Sequence, residues 1–152
     1  LINFKSLGKS IKRTQIKMIK HGENNLKKLV KGMSPILNTG EYVYTVVKDL
    51  DSIDTSLAVC IFKEAEGITL VINRNKADEL GLKYEFIASW ITLQIHSSLE
   101  STGLTAIFSS ELAKYDISCN VIAGFYHDHI FVPLKDSKRA IGVLKDLTNS
   151  FE

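Results

Sequence analysis

The order of apolar patterns after residue 85 constrains the fold of this chain more than any other feature of its sequence. Apolar and polar residues alternate through residues 86–96, which is typical of a strand with one buried face. A helix pattern follows, with apolar residues on one side at positions 104, 107, 108, 112 and 115. Two strands at 119–125 and 130–134, then a helix starting at Asp136 or Ser137, complete the order βαββα. This order favours an antiparallel sheet with both helices on one face.

The first half of the chain repeats part of this plan. Its predicted elements are a helix at 25–32, strands at 42–47, 58–62 and 68–72, and a brief helix at 75–81. The helix expected between the first two of these strands is missing, because residues 48–57 are too few to form it. We expect the helix at 25–32 to cover that face instead.

The halves predict two interlocked modules, at residues 23–84 and 85–152, because no flexible linker separates them. A basic extension, residues 1–22, precedes them. Residues 1–32 contain nine of the 19 lysines and arginines but a single acid, Glu23. Such a segment can attach to nucleic acid or to an anionic membrane surface. It lacks aromatic stacking platforms and any binding motif, so we expect neither partner.

Composition bounds the class of protein. With 45% apolar and 24% charged residues in 152, the chain is globular rather than disordered. No stretch approaches the ~20 apolar residues of a membrane-spanning helix, and the N-terminal region has no export signal. These observations predict a cytoplasmic protein. Cys60 and Cys119 lie far apart in apolar runs, so we expect buried free thiols.

Several motifs carry a resemblance to a known family. Residues 103–113 and 117–122 resemble the core of ACT domains, the small regulatory modules of amino-acid metabolic enzymes. Residues 33–35 with 37–43, 64–67, 90–93 and 120–133 are similar to free-standing bacterial proteins with two ACT domains in tandem. The resemblance covers about residues 24–147. It implies an α+β fold of two ferredoxin-like βαββαβ modules with helices on one face, and amino-acid binding without an attached enzyme.

The helix that begins near Leu104 offers a place for the carboxylate of an amino acid. Its first backbone N–H groups have no partner within the helix and form the positive end of the helix dipole. The strand at 119–123 offers carbonyl oxygens, and the Asn120 amide oxygen, to the ammonium. The candidate ligand-binding residues, in the segment 98–105 and in this strand, are Thr102, Gly103, Leu104, Thr105, Asn120, Val121 and Ile122.

This site has a plainer alternative. Thr102 and Gly103 then only cap the helix, and the Asn120 amide bonds its own neighbours. We expect an aspartate to be tolerated at Gly103, provided that the backbone there is not left-handed.

Other chemistries have less support. His127, Asp128 and His129, with His96, include nitrogen ligands suited to zinc, but histidines at a hairpin tip are more often hydrogen-bonded or solvated. We therefore predict no metal site. Glu64 and Glu66 flank a hairpin turn, where solvation explains them without acid–base catalysis. Because no nucleophile elbow or phosphate loop occurs, we predict no enzyme activity and no cofactor.

Two functions from different classes remain. The first is a regulatory module that senses a free amino acid. The second is an interaction protein without a ligand, whose sheet face or edges serve assembly. We expect a homodimer in either case, because exposed sheet edges join side by side.

Overall fold

The computed structural model describes residues 22–23 and 25–151, so the extension predicted at residues 1–22 lies outside the described residues except for Gly22. The helices are α1 (Leu26–Gly32), α2 (Arg74–Glu79), α3 (Leu104–Ala113) and α4 (Ser137–Ser150). The strands are β1 (Ser34–Leu37), β2 (Tyr42–Val47), β3 (Ala58–Lys63), β4 (Ile68–Asn73), β5 (Ile87–Gln94), β6 (Asn120–Ala123) and β7 (Asp128–Pro133). All the predicted helices and strands are present, with ends shifted by a few residues.

Strand β1 was not predicted from the sequence. Pro35 lies inside it and indicated only the end of the preceding helix. A proline is tolerated there because β1 pairs with β5 alone and leaves its other edge unpaired in the described sheet. Pro133 was predicted at an edge or strand end, and it is the last residue of β7.

The strands form one antiparallel sheet in the order β3-β4-β2-β5-β7-β6, and β1 also pairs with β5. The N-terminal end of β5 pairs with β2, through Ala88 opposite Tyr42. Its C-terminal half pairs with β1, through Ile91 opposite Leu37. A single strand therefore belongs to both halves of the molecule, which confirms that the two modules interlock.

The four helices of the described residues all cover one face of this sheet. Helices α1, α3 and α4 share a core with the strands of the second half, and this core includes Leu29, Phe108, Leu144 and Ile130. Helix α2 covers the first half through Ala77. The expectation that the helix at 25–32 covers the first half is wrong. Because α1 runs directly into β1, which pairs with the C-terminal half of β5, it packs on α3 and α4 instead.

The helix-free face carries an aromatic core of its own. Phe131 is fully buried and makes edge contacts with Tyr42 and Tyr44, with ring centroids 6.2 and 5.6 Å apart, and it stacks on Trp90. In a flat sheet β3 and β6 would lie about 24 Å apart, five strand spacings. They line one cleft instead. The sheet is therefore strongly curled around its helix-free face.

A hydrogen-bonded chain of polar side chains borders this aromatic core. Asn38 Nδ2 donates to Thr92 Oγ1 at 2.9 Å, and Thr92 Oγ1 lies 3.1 Å from His129 Nδ1. The Trp90 indole N–H, which can only donate, points at the same Nδ1 at 3.1 Å. His129 Nδ1 is therefore an acceptor, and the imidazole is neutral.

The aromatic core should contribute strongly to stability. We expect Phe131→Ala to lower the free energy of unfolding by about 3–5 kcal/mol, because it empties a fully buried site. Phe62→Ala, at a side chain that is 64% exposed, is the matched control and should cost far less. Urea unfolding followed by circular dichroism measures both. Equal losses in the two variants would contradict a core on the helix-free face.

Candidate functional site

The start of α3 presents free backbone donors, as the sequence predicted. Gly103 is the residue before the helix, and no side chain of the described residues caps this helix start. The first helical hydrogen bond runs from the Ile107 N–H to the Gly103 carbonyl at 3.0 Å. The N–H groups of Leu104 and Thr105 precede that bond and have no acceptor within the described residues. Thr102 and Thr105 are exposed, whereas the Leu104 side chain is buried in the core.

The backbone of Gly103 is left-handed, with φ of +100° and ψ of −19°. A Cβ atom there would also lie 3.0 Å from Cδ2 of Leu26 on α1. We expected aspartate to be tolerated at Gly103 only if the backbone there were not left-handed, and this condition is not met. Any side chain at Gly103 strains the backbone and presses on α1, so a variant at this residue does not test ligand binding alone.

The strand residues of the predicted site lie on β6, an edge strand. Asn120 is paired with Phe131, and Ala123 is paired with Asp128. Asn120 therefore lies about 10 Å along β6 from Ala123, the end of the strand that is nearer to the start of α3. The Asn120 side-chain amide donates to the Phe131 carbonyl at 3.4 Å. Asn120 and the start of α3 are therefore too far apart in one chain to contact the same small ligand. The Ile122 end of β6 is nearer to the start of α3.

Asp128 is a functional candidate that the sequence reasoning considered only as part of a metal site. It lies on the face of β7 that the helices cover, together with Ile130 and Val132. It is paired with Leu93, near the end of β5 from which the chain leads to α3. The residue is 8% exposed, and its carboxylate oxygens are not among the side-chain atoms that are buried without a hydrogen-bond partner in the described part of the chain. Burial raises the pKa of Asp128, and the charges of His129 and His127 act in the opposite direction.

The other histidines of the predicted alternative, His127 and His96, each have contacts of another kind. His127 Nδ1 lies 3.4 Å from the Ile95 carbonyl, and the His96 ring contacts the exposed rings of Phe125 and Tyr126. Across the described residues, no three His, Cys, Asp or Glu side chains converge as a metal site would require.

Of the paired acids, Glu64 accepts a hydrogen bond from Thr69 Oγ1, and Glu66 is exposed in the turn after β3.

A cleft of about 680 Å³ lies between the edge strands β3 and β6 on the helix-free face. Asn120, Val121 and Ile122 form part of its wall. Thr102, Gly103, Leu104 and Thr105 do not line it. The predicted binding residues therefore lie in two places, one group at the start of α3 and the other in the wall of this cleft. The sequence contained no signal for the cleft, because it exists only through the curl of the sheet.

Both cysteines are free, as predicted, but both are half-buried rather than buried. Burial raises the pKa of the Cys119 thiol to about 11, so this thiol is protonated at neutral pH. In addition, none of the described helices is long and apolar enough to cross a membrane.

Comparison with protein families identifies two matches along the chain. Residues 21–89 match one ACT domain model, and residues 85–146 match a second. A comparison with curated proteins finds no match.

Solved structures agree with these matches. A Vibrio cholerae protein of unknown function, described as a possible transport protein, is 44% identical, with a TM-score of 0.73 over 81% of this chain and 95% of that one. An Agrobacterium tumefaciens protein is 16% identical, with a TM-score of 0.64 over 76% and 89% of the two chains. The regulatory subunit of Thermus thermophilus aspartate kinase shares the fold, with 7% identity and a TM-score of 0.52 over 74% and 95%.

The fold and the two matches define an α+β protein built from ACT domains. The chain belongs to the ACT domain family and contains two ACT domains in tandem.

The neutral state of His129 should make the stability of the protein depend on pH. Burial and the charge of His127 lower the pKa of His129 from 6.5, and the charge of Asp128 opposes them. Below about pH 6.5 the unfolded chain therefore takes up a proton that the folded chain refuses, and the free energy of unfolding falls. His129→Asn keeps an acceptor but does not titrate, so it should remove this loss. Urea unfolding at pH 7.5 and 5.5 measures it, and an unchanged pH dependence in the variant would contradict the assignment.

The Tyr44 hydroxyl provides a second test of the structure. It is buried without a hydrogen-bond partner within the described residues. Tyr44→Phe should therefore leave the protein as stable or more stable, by up to about 1–3 kcal/mol, because no buried hydroxyl remains unsatisfied. Thermal unfolding of the ligand-free variant measures the change. A loss of stability would show that the hydroxyl has a partner.

Proposed function

We propose that this protein is a regulatory module that binds a free amino acid at the start of α3 and acts without catalysis. The observation that carries the proposal is the uncapped start of this helix, where N–H groups lie free beside Gly103. A carboxylate at such a place accepts several hydrogen bonds and offsets the positive helix end. ACT domains commonly bind amino acids, which supports this choice of ligand.

The ammonium of the ligand needs acceptors at the same end of the sheet. We place it towards the Ile122 end of β6 and towards Asp128, an acidic residue that is only 8% exposed. An ammonium would offset the cost of keeping that carboxylate ionised. In this arrangement Val121 and Ile122 offer backbone groups, Thr102 and Thr105 flank the carboxylate, and Asn120 makes a minor contribution.

The binding proposal is tested by a charge at Thr105, which is exposed in the first turn of α3. Thr105→Asp should weaken amino-acid binding at least tenfold, because its carboxylate competes with that of the ligand. The fold should persist, since an acidic residue in the first turn of a helix is favourable by about 0.3–1 kcal/mol. Thr105→Asn, of the same shape and uncharged, is the control and should bind nearly as well as the parent protein.

The measurement is a thermal-shift screen of the twenty amino acids, followed by calorimetry with the best ligand. Asp128→Asn should also lose binding, while Asn120→Ala should lose less than about tenfold, the effect of one neutral hydrogen bond. Equal binding by Thr105→Asp and Thr105→Asn would place the ligand elsewhere.

A second candidate function is assembly without a ligand. Among the described strands, β3 and β6 both end the sheet with an unpaired edge, and exposed Phe62 and Val121 lie on them. Such edges pair readily with another sheet, which supports a homodimer. Light scattering gives the mass in solution, and the absence of any thermal shift with every amino acid in a dimeric protein would favour this second function.

A further inference from the structure

The cleft between β3 and β6 has a floor built from rows of neighbouring side chains. In one row, Val71 on β4 lies between Tyr44 on β2 and Cys60 on β3. In the next, Thr69 is paired with Phe62. Val121 and Ile122 on β6 form the opposite wall. The lining is mostly apolar, and its volume of about 680 Å³ lies in the range of small-molecule sites.

The charge of the lining has one sign. Glu64 is its only charged side chain, and no Lys, Arg or His lines the cleft within the described part of the chain. One oxygen of the Glu64 carboxylate accepts from Thr69 Oγ1, and a carboxylate has further acceptor sites. The cleft therefore favours a cation over an anion.

The Tyr44 hydroxyl gives the cleft a second polar feature. This hydroxyl is buried and without a partner in the described structure, whereas buried hydroxyl groups usually form hydrogen bonds. Burial, with smaller contributions from Cys60 and Cys119, raises the pKa of Tyr44 to about 12, so the hydroxyl keeps its proton. Because Tyr44 lines the cleft, a ligand oxygen that displaces the atoms covering this hydroxyl can accept its hydrogen bond. The rows of Tyr44 and of Phe62 lie about 7 Å apart along the strands, with Glu64 beyond them.

We propose that this cleft binds an arylalkylamine with a hydroxyl group opposite its ammonium. The ammonium pairs with Glu64, the aromatic ring lies on Val71 and against Ile122, and the ligand hydroxyl accepts from Tyr44. This site is distinct from the amino-acid site at the start of α3. Neither Tyr44 nor Glu64 belongs to that site, although both sites use β6.

Three compounds of similar shape separate the contributions by calorimetry on the full chain. Tyramine carries both polar groups, phenethylamine lacks the hydroxyl, and 3-(4-hydroxyphenyl)propionate replaces the ammonium with a carboxylate. We expect tyramine to bind, phenethylamine to bind roughly tenfold more weakly, and the propionate to give no heat.

Matched variants assign the contacts. Glu64→Gln should weaken tyramine binding roughly tenfold, while Glu66→Gln, at an exposed acid two residues away that does not line the cleft, should leave it unchanged. Tyr44→Phe should bind tyramine and phenethylamine with equal affinity. Thermal unfolding of each variant confirms that it is folded before titration.

The proposal is overturned by any of three results: no heat from tyramine, equal binding of the propionate, or equal losses in Glu64→Gln and Glu66→Gln. Failure of this proposal is distinguishable from failure of the amino-acid site. Thr105→Asp should leave tyramine binding unchanged, and Tyr44→Phe should leave amino-acid binding unchanged.

Discussion

The pairing of β5 with strands on both of its edges is the interaction on which the rest of the structure depends. Its N-terminal end completes the sheet of the first ACT domain through β2, and its C-terminal half pairs with β1 and supports the second. On its other edge it pairs with β7 along six residue pairs, from Ala88 to Leu93. The two domains therefore share one backbone segment, and neither has a complete sheet without the other.

The curl of the sheet follows from how the helix-free face is filled. Tyr44 and Phe131 come from the first and second halves, and their rings meet at 5.6 Å. Because edge contacts between aromatic rings are favourable, the two halves close over this face and remove it from water. The hydrogen bonds that link the side chains of Asn38, Thr92 and His129 satisfy the polar groups at the border of the aromatic core. Few buried polar groups are therefore left unpaired when the two halves close over this face.

The sequence predicts local structure well and long-range packing poorly, for reasons visible in particular residues. The spacing of Leu104, Phe108 and Leu112 defines α3, and these three residues are buried as expected. The predicted packing of α1 was wrong because the position of this helix depends on the pairing of β1 with β5, which local sequence patterns do not encode. The glycine at 103 was recognised, but its left-handed backbone was not. Tyr44 and Ile122 face one cleft only through the curl, which no periodicity indicates.

The two domains are unequal because the segment between β2 and β3 in the first is shorter than the segment between β5 and β6 in the second. In the second domain this segment contains α3, whereas in the first it contains only a single 3-10 turn at Thr55–Leu57. The other helix starts differ as well. Asn25 and Asn73 cap α1 and α2 with their side chains, and α4 continues directly from a 3-10 turn. Only α3 follows a loop and begins without a side-chain cap among the described helices, so the tandem repeat of the fold provides one such helix start rather than two.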